Sequence, residues 1–243
     1  YERLSFGRLD LEAGARLDAL SRAAYMQTHD HQAHMRRGSI DPGACTDNGE
    51  KLRCATAYTA SSFSIGTLAH VVPKHVDVKL DLSTATRFPN VDELYIIGFA
   101  PTAPVYATGY PKLDTETVWN SSLTTGLRVE AVEAEVSGYW QFVEDYTYFS
   151  PELDPDGLPR FDVTIRGTYP SYSFHPIDAV VYGADGTVNL GPHFPIGLKA
   201  QGGVVRASSH ETGDELIGTP ADYLLLTLMG RPPSVGPVHN IQA

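Results

Sequence analysis

The sequence predicts a mainly β protein, an antiparallel β-sandwich or jelly-roll-like domain behind an N-terminal helical arm. Three observations carry that expectation. Many segments alternate apolar and polar residues with the period of two that marks a half-buried strand. Turn-forming residues, among them 22 glycines and 17 prolines, punctuate short apolar runs. Charge is also unevenly divided. Residues 1–54 hold eight basic and eight acidic side chains, whereas the rest hold ten and twenty-one, which accounts for the whole formal charge of −11. We therefore divide the 243 residues into a helical assembly arm over 1–37, a hairpin or linker over 38–60, and a β-sandwich body over 61–243.

The arm comes first. Ala13, Leu17, Leu20 and Ala24 recur at helical spacing, and Asp10 is placed to cap the first turn. Gly14 weakens such a helix by about 1 kcal/mol relative to Ala. The apolar stripe is narrow, so this helix is expected to lie against the body or against another copy. No leader is recognisable at Tyr1, which reads as a processed start.

In the linker, Cys45 and Cys54 flank Asn48-Gly49, a pair suited to a tight hairpin turn. A disulfide would staple that hairpin, contributing about 2–3 kcal/mol by loop entropy, and would imply an oxidising location. Two buried free thiols are the other reading. A zinc site is poorly matched, because no Cys-x-x-Cys pair is present.

The body reads as strands. Val76, Val78, Leu80 and Leu82 alternate with Asp77, Lys79 and Asp81, and Phe161 to Ile165 alternates likewise. Leu94 to Phe99 and Tyr223 to Met229 are continuous apolar runs that suit strands covered on both faces. Ile177 to Tyr182 and Thr187 to Leu190 flank Gly183-Ala184-Asp185-Gly186, which reads as a hairpin turn. Leu127 to Val136 alternates imperfectly and reads as one bulged strand. Asp154-Pro155-Asp156-Gly157 reads as a turn rather than a calcium loop, since the downstream glutamate is missing.

Several chemistries are excluded. The acidic balance leaves no basic surplus for a nucleic acid. No apolar run reaches the ~18–20 residues of a membrane helix, so no membrane span is expected. The sequence holds no Gly-x-Ser-x-Gly, no phosphate-binding glycine loop, and no second histidine at zincin spacing after His210-Glu211. Two constellations remain. Glu133 and Glu135 would share a strand face, with Glu144 beyond the aromatic run, as acid and base candidates for a glycan-active enzyme. Tyr139, Trp140, Tyr146 and Tyr148 are candidate glycan-contact residues, although tyrosines equally suit a sheet core or a subunit interface.

Three of the nine histidines fall within His29-Asp30-His31-Gln32-Ala33-His34. If extended, His29 and His31 share a face, and three chains around a threefold axis would offer six imidazoles to a transition-metal ion. If helical, His31 and His34 share a face instead. The simplest reading is a solvated helix end, where histidines suit the macrodipole.

Leu4-Ser5-Phe6-Gly7-Arg8-Leu9, then Ala15 to Leu20, then His29-Asp30-His31 together resemble the opening of bacteriophage tail-fibre and tail-spike proteins. The resemblance covers about the first 35 residues; the body matches no fibre motif. It implies a non-enzymatic structural or adhesion protein, extracellular or in a virion. Such a protein would self-associate, as a trimer in the fibre case, and contact other structural subunits or a surface glycan. It needs no cofactor unless a metal sits at His29 and His31. The alternatives are a secreted β-sandwich enzyme acting on glycans and a monomeric carbohydrate-binding module.

Overall fold

The computed structural model describes residues 2–41, 43–47, 51–100, 103–192 and 194–230. Tyr1 and the Asn48-Gly49 turn lie outside them. In chain order the elements are β1 (Glu2–Phe6), β2 (Leu9–Met26), α1 (Thr28–Arg36), β3 (Cys45–Asp47), β4 (Leu52–Val72) and β5 (Val76–Arg87). There follow α2 (Val91–Tyr95), β6 (Ile97–Phe99), β7 (Tyr106–Thr108), β8 (Glu116–Val129) and β9 (Val132–Pro151). β10 (Phe161–Thr164), β11 (Gly167–Leu190), β12 (Ile196–Ser209) and β13 (Tyr223–Gly230) complete the order.

Nine of these strands form one antiparallel path, β1-β2-β4-β5-β8-β9-β11-β12-β13. Each strand pairs with its neighbours in sequence, as in a meander. Among the described residues no pairing joins β1 to β13, so the path has two edges. Its two ends are unlike. At one end the connections are short: Gly7-Arg8, residues 73–75, Glu130-Ala131 and residues 191–195. Gly7 takes φ +65° there, a left-handed conformation that glycine adopts without penalty. At the other end the connections run over residues 27–51, 88–115, 152–166 and 210–222, and they carry both helices and four short strands.

The mainly β expectation holds, but the sandwich does not. Among the described residues there is one continuous sheet, with no second sheet packed on it. The helical arm is also corrected, because residues 9–26 are strand β2, paired along its length with β4. The same segment carries a period of two. Leu9, Leu11, Ala13, Ala15, Leu17 and Ala19 alternate with Asp10, Glu12, Gly14, Arg16 and Asp18. The helical spacing came from sampling that alternation unevenly. β4 runs straight through the boundary expected at 60/61, so arm, linker and body share one sheet.

Three smaller expectations are revised. Gly183 to Gly186 is not a turn but the interior of β11. Leu127 to Val136 is two strands around the tight Glu130-Ala131 turn. Leu94 to Phe99 splits between α2 and β6, because Asn90 and Glu93 form a capping box that starts a helix.

Candidate functional site

Register assigns every strand residue to one of two faces, since side chains alternate and paired residues point the same way. One face carries Leu17, Ile65, Leu80, Leu123, Val136 and Leu228, all exposed, Leu17 at 81%. Trp119 and Trp140 lie on it too and are about half exposed. The other face is polar and is laced with ion pairs. Arg3 meets Asp10 at 2.6 Å, Arg16 meets Asp18 at 2.7 Å and Lys79 meets Asp81 at 3.0 Å. His70 Nδ1 lies 2.6 Å from Asp77, whose second oxygen accepts from Arg128. A sheet with water on one side would bury its apolar face against a second layer; this one leaves it bare.

Burial is concentrated at the long-loop end, where the connections fold over the charged face as a roof. Met26 and Cys54, on that face, are 5% and 2% exposed beneath Ile40, Cys45 and Tyr95. The structure joins Cys45 and Cys54 by a disulfide that ties β3 to β4. Val143 and Ala179, paired across β9 and β11, are covered by Leu216. Tyr58 donates its hydroxyl proton to the Leu113 carbonyl at 3.2 Å, holding the 88–115 connection down on β4.

Arg37 ties the roof together. Its two terminal nitrogens donate in forked pairs to Glu152 at 3.0 and 3.1 Å and to Asp162 at 3.0 and 2.9 Å. Its guanidinium also lies 5.5 Å from the Tyr106 ring centroid. One side chain from the 27–51 connection thus engages the 88–115 and 152–166 connections. Burial works to lower the Arg37 pKa, but bonds from Asp162 and Glu152 win and hold it above its ordinary value. At Asp162 burial is likewise opposed, by hydrogen bonds from Ser171 and Arg37, and its pKa falls below the ordinary 3.8. Buried His34 lies 2.8 Å from Ser39 Oγ through Nδ1 and donates from Nε2 to the Tyr95 carbonyl at 3.3 Å. Desolvation lowers its pKa and keeps the ring neutral.

The residues singled out in the sequence are scattered over this frame. His29 and His31 lie in α1, two positions apart, so the helix turns them to different sides. His29 is exposed beside Asp30, whereas His31 is buried with Nε2 unpartnered. Among the described residues, no group of three His, Cys, Asp or Glu side chains could hold a metal ion. Glu133 and Glu135 share the charged face near the short turns. Glu144, paired with Thr117, has the opposite parity and stands roughly 30 Å along the strand from Glu135. Tyr139 lies on the charged face across Gly183, while Trp140 points to the apolar face. Tyr146 and Tyr148 pack beside Leu216, and the Tyr148 hydroxyl accepts from the Ile217 amide. These four aromatics form no common surface. Sequence reasoning missed Arg37, its carboxylates and the two-faced wall. The wall had a signal, Asp10, Glu12, Arg16 and Asp18 at four of the five alternate positions of 10–18 with Gly14 between them, but the Arg37 knot had none within any one segment.

The arrangement has relatives. The family model described as TonB dependent receptor-like, beta-barrel matches residues 2–227. This chain belongs to that family. Solved structures agree on the fold. The chain is similar to the copper transporter OprC, with a TM-score of 0.67 at 19% identity, over 92% of this chain and 30% of that one. It is similar to the Serratia marcescens hemophore receptor HasR in complex with HasA and heme, TM-score 0.60 at 11% identity, over 93% and 39%. The ferric enterobactin receptor PfeA of Pseudomonas aeruginosa, in complex with enterobactin, gives 0.55 at 16%, over 96% and 38%. No curated protein sequence matches the chain. The chain therefore spans between about 30% and 39% of the length of these structures.

The family match corrects the functional expectations. The resemblance of the opening residues to phage fibres is superseded, because the barrel model takes in those residues and nearly all of the body. The virion or extracellular structural role, the self-associating trimer and the glycan-directed alternatives go with it. The expectation of no membrane span also fails as an argument. No described helix is long and apolar enough to cross a membrane, but barrels cross with strands.

Proposed function

We propose that this chain forms part of the wall of an outer-membrane receptor that imports a metal-bearing ligand, driven by a TonB-type partner. The observation that carries the reading is the two-faced sheet. Its apolar face, bare in this chain, suits contact with hydrocarbon, and its ion-paired face suits a water-filled lumen. The asymmetry of the connections supports an orientation, since short turns belong on the periplasmic side and long loops outside. The open edges at β1 and β13 then pair with further strands, because an unpaired strand edge is not tolerated in lipid. A 22-stranded wall is usual for outer-membrane transporters. The likeness to proteins that handle copper, heme and ferric enterobactin supports a metal-bearing ligand.

The test uses a full receptor containing this chain, expressed in cells with and without the energy-transducing partner. Uptake of radiolabelled metal chelates should require both receptor and transducer. Uptake that ignores the transducer, or a receptor absent from the outer-membrane fraction, would overturn the reading.

A further inference from the structure

The apolar face of the wall is not flush. Toward the long-loop end it carries a groove of about 500 Å³. Phe63 and Ile65 of β4 stand on one side of it, Trp119 of β8 and Trp140 of β9 on the other, each about half exposed. The residues between them are small. Register puts Thr84 between Phe63 and Trp119, and Ser121 beside Trp140. The Thr84 hydroxyl accepts from the Phe63 amide at 3.2 Å, so it finds its partner within the sheet.

Polar groups border the groove. Neither indole N–H, of Trp119 or of Trp140, has a partner among the described residues. Two residues nearer the long loops the same face changes to Ser61, Thr86 and Thr117, and exposed Glu144 pairs with Thr117. On β5, β8 and β9 this face carries no lysine or arginine among the described residues, since Lys79, Arg87 and Arg128 point to the charged face. Trp119 lies roughly 33 Å along β8 from the short turn after Val129. At a strand tilt of about 40° that is roughly 25 Å across the membrane, the height of a barrel's apolar band. The groove thus opens where hydrocarbon meets the outer headgroups.

We propose that the groove binds one phosphatidylethanolamine of the outer leaflet, with an acyl chain between Phe63 and the two tryptophans, ester oxygens accepting from the indoles, and the ammonium facing Glu144. This rests on the receptor reading above and adds to it a lipid site on the outside of the wall. An acyl chain fills an apolar groove without needing polar partners. Tryptophan at a membrane boundary offers its ring to the chain and its N–H to a polar atom of the same lipid. Charge selects the headgroup. A lipid with phosphates and no ammonium, such as lipid A, would meet the Glu144 carboxylate and no cation, which disfavours it.

The experiment is native mass spectrometry of the purified full receptor in detergent, titrated with phosphatidylethanolamine, its dialkyl-ether analogue and hexa-acylated lipid A. The parent should bind one phosphatidylethanolamine saturably, and more tightly than lipid A. Ser121→Phe fills the groove and should weaken that binding about tenfold or more. Thr125→Phe, on the same face of β8 but outside the groove, should bind as the parent does. The parent should prefer the ester lipid to the ether by about threefold to tenfold, the scale of a neutral hydrogen bond. Trp119→Phe with Trp140→Phe keeps the rings, removes both donors and should abolish that preference. No saturable site, tighter binding of lipid A, parent-like binding in Ser121→Phe or an equal loss in Thr125→Phe overturns the proposal. So does an ester preference that is missing in the parent or kept in the tryptophan pair. If Ser121→Phe does not fold, the tryptophan pair decides. Transducer-independent uptake would remove the receptor reading without altering these titrations, so the two failures are separable.

Discussion

The strand wall and the roof over its long-loop end are stabilised in opposite ways. The wall has ladder hydrogen bonds and ion pairs but little buried apolar surface; Leu80 and Leu123 pair across β5 and β8 with their side chains bare. The roof has what a water-soluble domain has: buried clusters, a disulfide and an arginine shared by two carboxylates. The wall is composed for two solvents, one on each face. The roof is composed for water outside and protein inside.

The largest expected effect comes from breaking the wall's division of faces. Leu123→Arg puts a charge on the apolar face and should cost about 2–4 kcal/mol near the bilayer midplane. Ser122→Arg, one residue away on the charged face and in register with Asp81, should cost little. The check is urea unfolding of the receptor in lipid vesicles, together with the yield of folded receptor in outer membranes. Equal tolerance of the two variants would mean that the faces are assigned wrongly.

Next in size is the knot that defines the roof. Arg37→Met leaves Glu152 and Asp162 without their main cation and should destabilise the roof locally by about 3 kcal/mol. Hydrogen exchange should rise across residues 27–41 and 152–166 and stay unchanged in β4, β5 and β8. Adding Glu152→Gln and Asp162→Asn to the same variant should recover part of the loss, because no carboxylate is then left unpaired. An equal rise in the wall strands would show that the two regions are not separate.

This division also explains how much was legible in the sequence. Strand content could be read wherever one face differs from the other, as in Val76 to Leu82 and Phe161 to Thr164. β2 was misread because Ala13, Leu17, Leu20 and Ala24 also fit a helix, and the small apolar residues between them were discounted. The sandwich was inferred because alternation says that one face is apolar, not what it faces; lipid and a second sheet leave the same pattern. The roof was least legible. Arg37, Glu152 and Asp162 are more than a hundred residues apart at the extremes, and no local pattern announces their meeting. The Cys45 and Cys54 pair was visible because its spacing is local, whereas the His29-to-His34 run fits an extended or a helical segment alike, and the metal expectation at His29 and His31 took the extended alternative in a segment that is helical.

The disulfide sharpens the comparison from the other side. It closes a short loop of sequence separation 9, worth about 2–3 kcal/mol by loop entropy. Reduction, or Cys45→Ser with Cys54→Ser, should loosen residues 43–54 and the Met26 and Ile40 cluster packed on them. Unfolding of the wall in urea should be unaffected. A matching loss in the wall would make the staple part of the barrel rather than of its cover.

The smallest effect expected is one of pH, and it separates two parts of the roof. His34 is buried, and its folded pKa lies below the ordinary 6.5 chiefly through desolvation. The Tyr95 carbonyl and Asp30 pull the other way, while His31 and Arg37 add to the lowering. A folded pKa that is depressed means that the neutral ring stabilises the fold in full above about 6.5 and that this contribution is lost as pH falls through the lower folded value. Asp162 is also depressed, from 3.8, so its contribution persists until far more acidic conditions. Between pH 7.5 and 5.5, hydrogen exchange corrected for its intrinsic pH dependence should therefore rise around α1 and Tyr95 but not across residues 152–166. His34→Gln should abolish that difference. A rise that survives in His34→Gln would place the sensitive group elsewhere, and a rise confined to 152–166 would mean that the Arg37 knot, not the histidine, is the part of the roof that acid reaches first.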